Sequence, residues 1–193
     1  VVAAPHRAWV EPFLLFAAWP ADAARLIWLA DGRTVTSSWW RRRLLPRLGV
    51  IPVSGRFSGP RTYAALAEQA LTAGCALAVF PEVGPPSPAD RSRPLSAGFA
   101  YIALASGAPV IPVVIGGTHR VVRDSWFSVD LLATEDPGVG AGTAFGSADR
   151  ERARDLRRRV EAAVAAILPA RTVQADRRAP THERWRWLGT LFG

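Results

Sequence analysis

The chain contains no methionine, no lysine and no asparagine, and it has one cysteine, Cys75. The absence of methionine indicates that these 193 residues are a fragment or a processed form, incomplete at the N-terminus. One cysteine excludes an intrachain disulfide, and the small apolar neighbours of Cys75 predict a core position. Without lysine, all 24 basic residues are arginine, which reflects coding bias at least as much as mechanism.

The chain also has no apolar run long enough to cross a bilayer. The richest run, residues 12–21, is about half of the ~20 residues that a spanning helix needs. Asp22 and Arg25 interrupt its continuation. Paired zinc ligands and an aromatic ribonucleoprotein motif are missing as well, so we expect no nucleic acid partner. The alternative of a basic protein that binds polyanions is supported by the net charge alone.

That net charge is +8, which favours anionic partners such as lipid headgroups or phosphorylated substrates. Eight tryptophans accompany it, and two clusters combine them with arginine at residues 39–43 and 184–188. Trp and Arg together suit a membrane–water interface, where rings sit at headgroup depth and guanidinium groups meet phosphate. Alternatively, these rings pack on the protein itself. The interfacial interpretation predicts a peripheral protein on an anionic membrane surface.

Apolar runs of strand length alternate with segments of helical periodicity, which predicts an α/β layered domain. Its central sheet is expected to be mixed and largely parallel, flanked by helices. The predicted strands cover residues 1–4, 25–30, 49–53, 76–80, 110–115 and 126–133, with Pro112 implying an edge or an irregularity. The predicted helices cover residues 12–24, 36–48, 59–73, 95–106 and 147–168.

His6 and Glu11 lie five residues apart, just after the first strand. This spacing brings the two side chains together neither on a helix nor on a strand, so a functional pair requires a turn. Pro5 can end the strand, and Pro12 suits a helix start with Glu11 at the positive end of the dipole. A base and a carboxylate can then share a hydrogen bond. Taken alone, the pair is also compatible with a surface coincidence.

Three further segments follow this pair in a fixed order, which are Gly49-Val50-Ile51-Pro52-Val53-Ser54-Gly55-Arg56, Phe80-Pro81-Glu82 and Ala108-Pro109-Val110-Ile111-Pro112-Val113-Val114. With the His-x4-acid spacing, the chain resembles the glycerolipid acyltransferase family of the 1-acylglycerol-3-phosphate acyltransferase type, from about residue 1 to residue 117. The resemblance implies an acyltransferase domain over residues 1–170 and an Arg/Trp-rich tail over residues 171–193.

The resemblance implies transfer of a fatty acyl group from an acyl thioester, on coenzyme A or acyl carrier protein, to a lipid hydroxyl. His6 would be the general base and Glu11 its partner, on the cytoplasmic face of a membrane. A thioester needs neither metal nor cofactor, because its thiolate leaves easily. The expected substrate-binding residues are Arg56, Phe80, Pro81, Glu82, Gly84, Arg91 and Arg93.

The chain departs from the family pattern around these residues. Pro5 stands where the family usually has Asn, and Glu11 replaces the usual Asp, as in related lipid A acyltransferases. Arg56 is displaced by one position. The third segment continues Val83-Gly84-Pro85 instead of Gly-Thr-Arg, so Arg91 and Arg93 either replace the lost phosphate contact or are solvated loop residues. A degenerate relative that binds lipid or a protein partner without catalysis is therefore the alternative.

Overall fold

A six-stranded sheet forms the centre of the molecule, in a computed structural model that describes residues 1–5, 8, 10–53, 60–81, 94–118, 127–138 and 146–178. Its strands lie in the order β3-β2-β4-β1-β5-β6. The first five are parallel, and β6 is antiparallel to β5. The predicted mixed, largely parallel α/β fold is confirmed. The strands are Val2–Ala3 (β1), Leu26–Asp31 (β2), Val50–Val53 (β3), Ala76–Val79 (β4), Ile111–Gly116 (β5) and Ser128–Leu131 (β6).

Helices cover both faces of this sheet. On one face, Leu15 of the first helix and Leu45 pack against Val2, Trp28 and Val113. On the other face, the fourth, fifth and sixth helices contribute the remaining two apolar clusters. The helices are Glu11–Ala18 (α1), Gly32–Thr36 (α2), Trp39–Leu44 (α3), Pro60–Thr72 (α4), Gly98–Ser106 (α5) and Ser147–Arg178 (α6), with a 3₁₀ helix at Leu45–Leu48.

An apolar stripe at helical spacing packs α6 on the sheet. Ala153, Leu156 and Val160 are fully buried against the second face. Burying one such Leu or Val side chain contributes roughly 1.5–3 kcal/mol. Arg157 is half-buried beside this stripe, and its Nη1 donates to the carbonyl of Leu95 at 3.4 Å.

The first, second and fourth predicted helices have different bounds in the structure. α1 ends at Ala18, not near residue 24, because Trp19 precedes Pro20 and adopts the extended conformation that a following proline favours. The predicted helix 36–48 is divided into α2, α3 and the 3₁₀ helix. Gly49 ends this segment at φ +82°, where a Cβ would lie 2.4 Å from the Leu26 carbonyl oxygen. α5 begins at Gly98, three residues later than expected.

α6 extends ten residues past the predicted end at Leu168 and includes Pro169. Its later turns are held by Arg171, whose Nη2 donates to Asp130 Oδ1 at 2.5 Å and whose Nη1 donates to Gln174 Oε1 at 2.8 Å. These contacts offset the one helical hydrogen bond that Pro169 cannot donate. The division into a domain and a tail stays a prediction, and α6 runs through its boundary at residue 170.

Pro112 marks an irregularity rather than a sheet edge, since β5 lies between β1 and β6. Leu132 N donates to the carbonyl of Pro112 at 2.9 Å, and Val110 pairs with Glu135. Between these two contacts, the chain leading into β5 covers two residues, from 112 to 110, while the chain after β6 covers three, from 132 to 135. One extra residue on one of two paired chains is the geometry of a β-bulge. The missing N–H of the proline is accommodated where the ladder is already interrupted.

The carboxyl end of β5 lies tightly against α6. A Cβ built on Gly116 would meet Ser128 Oγ at 2.8 Å and Arg171 Cβ at 2.9 Å, both closer than real Cβ contacts. Only glycine therefore fits between β6 and α6 here. This close approach fixes where the chain leaves β5, two residues before Thr118.

Candidate active site

The predicted site segments begin where parallel strands end. Parallel strands have their carboxyl ends at one edge of the sheet, and ligands of open α/β sheets bind outside that edge. The segment of His6 follows β1, that of Arg56 follows β3, and that of Glu82 follows β4. The topology therefore brings the starts of these three segments to one edge, which we call the catalytic edge.

Two of the segments leave the sheet side by side. Ala3 of β1 lies opposite Val79 of β4, and Ala4 N donates to the Val79 carbonyl at 3.2 Å. Immediately beyond, Pro5 and Pro81 are both buried, and Phe80 is half-buried. The first and third motifs are thus adjacent up to the residues that directly precede His6 and Glu82.

Glu11 is a buried carboxylate at the start of α1. It is the first helical residue, with Val10 as the N-cap, so the helix begins one position earlier than the predicted start at Pro12. Its side chain has no exposed surface. The positive end of the helix dipole favours a carboxylate at this position. Glu11 N also donates to the Ala8 carbonyl at 3.1 Å, so the chain turns just ahead of the helix, as a functional pair requires.

Thr118, which follows the neighbouring strand β5, forms a hydrogen bond to this carboxylate. Its Oγ1 donates to Glu11 Oε1 at 2.6 Å, across 107 residues of sequence, and Thr118 itself is 3% exposed. The length lies in the range of O–H···O⁻ bonds to a charged acceptor. Because Thr118 follows β5 and Glu11 follows β1, the bond ties together the exits of two neighbouring strands.

Sequence reasoning missed Thr118. A signal for it was present, because it is the first polar residue after the buried strand β5 and the pair Gly116-Gly117. The sequence therefore allowed a hydroxyl to be predicted at the catalytic edge. Its partner Glu11 was not predictable, because no spacing rule connects residues 11 and 118.

The structure describes three of the predicted site residues. Glu11, Phe80 and Pro81 are described, and all three lie at the catalytic edge. The pairing of His6 with Glu11 and the proposed contacts to the acceptor stay predictions. The predicted site residues that lie outside the described residues are His6, Arg56, Glu82, Gly84, Arg91 and Arg93.

An open cleft of about 620 Å³ lies at the opposite, amino edge of the sheet, between residues 136–138 and the start of α6. Its arginines are paired with the molecule's own acids, such as Arg159 with Glu135 at 2.8 Å and Arg158 with Asp155 at 3.2 Å. Among the described residues, no three His, Cys, Asp or Glu side chains are grouped to hold a metal ion. Of the predicted site residues that the structure describes, none lines the cleft.

The comparison with family models decides the assignment that the edge geometry suggests. The model described as Acyltransferase matches residues 1–116, which is more than half of the chain. The chain belongs to the glycerolipid acyltransferase family. The match confirms the resemblance and supports a general acyltransferase activity. No curated protein and no solved structure matches the chain.

In this acyltransferase, the family match covers β1 to β5 and includes Glu11, Phe80 and Pro81. It ends at the last residue of β5, so Thr118 lies two residues beyond it. In the described parts of the chain, no helix is both long and apolar enough to cross a bilayer.

Proposed function

We propose that the protein is an O-acyltransferase that moves a fatty acyl group from an acyl thioester, acyl-CoA or acyl carrier protein, to a lipid hydroxyl. A lysophospholipid is the first acceptor to test. The observation that carries the proposal is the buried Glu11 carboxylate at the helix start, five residues after His6 and bonded to Thr118. A buried carboxylate with a fixed orientation is what a catalytic imidazole needs as its partner.

In the proposed reaction, the His6 imidazole accepts the proton of the acceptor hydroxyl. The hydroxyl oxygen then forms a bond to the thioester carbonyl carbon, and the C–S bond breaks. The thiolate leaves and takes the proton from the imidazolium, so the base is restored. Glu11 would hold the tautomer and stabilise the imidazolium as it forms. General base catalysis of this kind contributes roughly 10²–10⁴-fold, and juxtaposition of the two substrates contributes much of the rest.

The substrate side of the proposal rests on the segment after β4. Phe80 and Pro81 follow the buried strand β4 and precede Glu82, which would position the acceptor, and Gly84 is a further expected substrate-binding residue. The acceptor phosphate would be bound by the planar forks of Arg56, Arg91 and Arg93. Pro85 replaces the usual arginine, so the phosphate contact depends on these three residues.

We test the reaction with a labelled acyl thioester and a panel of lipid acceptors in detergent, comparing the wild type with His6→Ala. The expected loss is roughly 10²–10⁴-fold in kcat. His182→Ala removes the same side chain from the C-terminal segment and serves as the matched control, with an expected unchanged rate. Equal rates for His6→Ala and the wild type would refute the role of His6.

The alternative is a catalytically degenerate relative that binds lipid or a protein partner. The observation that favours it is Val83-Gly84-Pro85 in place of the family's Gly-Thr-Arg. No turnover with any acceptor, together with retained lipid binding, would select this alternative over the enzyme. We further propose that either form acts as a peripheral protein on the cytoplasmic face of an anionic membrane.

A further inference from the structure

The positive charge of the chain is concentrated in one segment. Residues 32–67 contain seven arginines and no aspartate or glutamate. The rest of the chain has 17 arginines against 16 acidic residues, so nearly all of the net charge of +8 belongs to this segment. Such an imbalance creates a local positive field that the chain's own acids do not compensate.

The middle of the segment is a helix that stands on the surface. No residue of α3 is buried, Trp39 is 72% exposed and Leu44 is 42% exposed. Four large hydrophobic side chains are exposed among the described residues, and three of them, Phe16, Trp39 and Leu44, belong to α1 and α3. The core side chains of α1 and of the 3₁₀ helix that continues α3 share one apolar cluster, so these elements cover the same face of the sheet.

The arginines of α3 have no acidic partners in the described parts of the chain. Arg41 Cζ lies 5.2 Å from the centroid of the Trp40 ring, and its Nη1 donates to Ser37 Oγ at 3.0 Å. Arg42 and Arg43 are exposed, and Arg47 donates to a carbonyl. By contrast, the arginines of α6 that lie within 4 Å of a carboxylate are Arg152, Arg157, Arg158, Arg159 and Arg171.

We propose that the exposed residues of α3 together with Arg47, which we call the arginine–tryptophan surface, dock the protein on anionic lipid headgroups. Guanidinium groups without acidic partners meet lipid phosphates, while Trp39 and Leu44 enter the interface, where tryptophan is favoured. Nucleic acid would match the charge but would leave the exposed aliphatic and aromatic side chains without a partner. Each arginine near an anionic membrane strengthens binding about fivefold.

The segment that contains this surface starts at the catalytic edge. It leaves the carboxyl end of β2 through α2 and returns to the amino end of β3 after Gly49. The docked segment therefore begins at the same edge from which the site segments leave. A lipid acceptor would then reach the site from the headgroup layer on which α3 lies, a consequence that rests on the proposed function.

The experiment is co-sedimentation of the full chain with vesicles of phosphatidylcholine alone or mixed with phosphatidylglycerol. The variant Arg41→Gln/Arg42→Gln/Arg43→Gln is expected to lose about 100-fold in affinity for the mixed vesicles. Trp39→Ala is expected to weaken binding to both kinds of vesicle. The matched control removes the same charge from exposed positions of α6 and is expected to lose much less; it is Arg150→Gln/Arg154→Gln/Arg158→Gln.

Equal losses in the two triple variants would overturn the proposal, because net charge alone would then explain binding. Tighter binding to a DNA duplex than to the mixed vesicles would overturn it as well. Deleting residues 179–193 tests the second Trp–Arg cluster. If that deletion abolishes vesicle binding and the α3 triple variant does not weaken it, the C-terminal segment is the docking site and α3 is not. Acyl transfer in detergent, measured on the same variants, separates this outcome from failure of the proposed function.

Discussion

The bond between Thr118 and Glu11 offers the sharpest test of the structure. Thr118→Val keeps the shape of the side chain but removes the O–H that donates to Glu11 Oε1. Both residues are buried, so water has little access to replace the lost donor. We expect the variant to fold and to be clearly less stable, whether or not the protein is catalytically active.

The magnitude follows from the charge and the burial. A hydrogen bond to a charged group contributes about 1.5–3 kcal/mol to stability. For a chain of this size, 1 kcal/mol shifts Tm by roughly 2–4 °C. Thr118→Val should therefore lower Tm by about 3–12 °C. Thr118→Ser, which keeps the hydroxyl, should lose much less.

Thermal and urea unfolding of a double-mutant cycle provides the assay. In a Glu11→Gln background the acceptor is neutral, and bonds to neutral acceptors are about half as strong as charge-assisted ones. The loss caused by Thr118→Val should therefore be about half as large there. A Thr118→Val variant as stable as the wild type, or an equal loss in both backgrounds, would contradict a charge-assisted bond between Thr118 and Glu11.

Two further predictions concern the exit of β5 and the acceptor. Gly116→Ala should cost about 1–3 kcal/mol by overpacking, whereas Gly98→Ala, whose Cβ would have no heavy atom closer than 3.6 Å, should leave Tm unchanged or slightly higher; equal Tm values would contradict the close packing at Gly116. A phosphate-bearing acceptor should react about 10–100-fold faster than a phosphate-free one, and the preference should fall when a phosphate-binding arginine becomes Gln. Equal rates for the two acceptors would contradict phosphate recognition. An unchanged preference in the Gln variants would contradict the roles of Arg56, Arg91 and Arg93.

Much of the fold was accessible from local patterns. Buried strands of a parallel sheet are continuous apolar runs, so β4 and β5 were predicted nearly in full. The extension of α6 was not predictable, because Pro169 is locally a stop signal and the contact between Arg171 and Asp130 is a tertiary one. The broken helix before β3 was missed for a related reason, since a Trp- and Arg-rich run has no clear period.

The candidate site residues were predicted from the spacing of His6 and Glu11 and from the family resemblance. The structure describes Glu11 and Pro81, and both lie at the catalytic edge, where the parallel strands end. Thr118 was missed because its partner lies across the sheet rather than along the chain. Pairings of this kind depend on strand order, and no apolar periodicity encodes the order β4-β1-β5.

The distance along the chain between Thr118 and Glu11 also bears on the order of folding. The bond closes a loop of 107 residues, so it forms only after β5 has taken its place beside β1. Contacts of such high sequence separation are formed late and slowly, because the entropy of loop closure must be overcome first. A nascent chain that has emerged only as far as residue 116 would contain the whole family match and still lack the hydroxyl that Glu11 needs. We therefore expect the carboxylate to acquire its final orientation as one of the last events of folding.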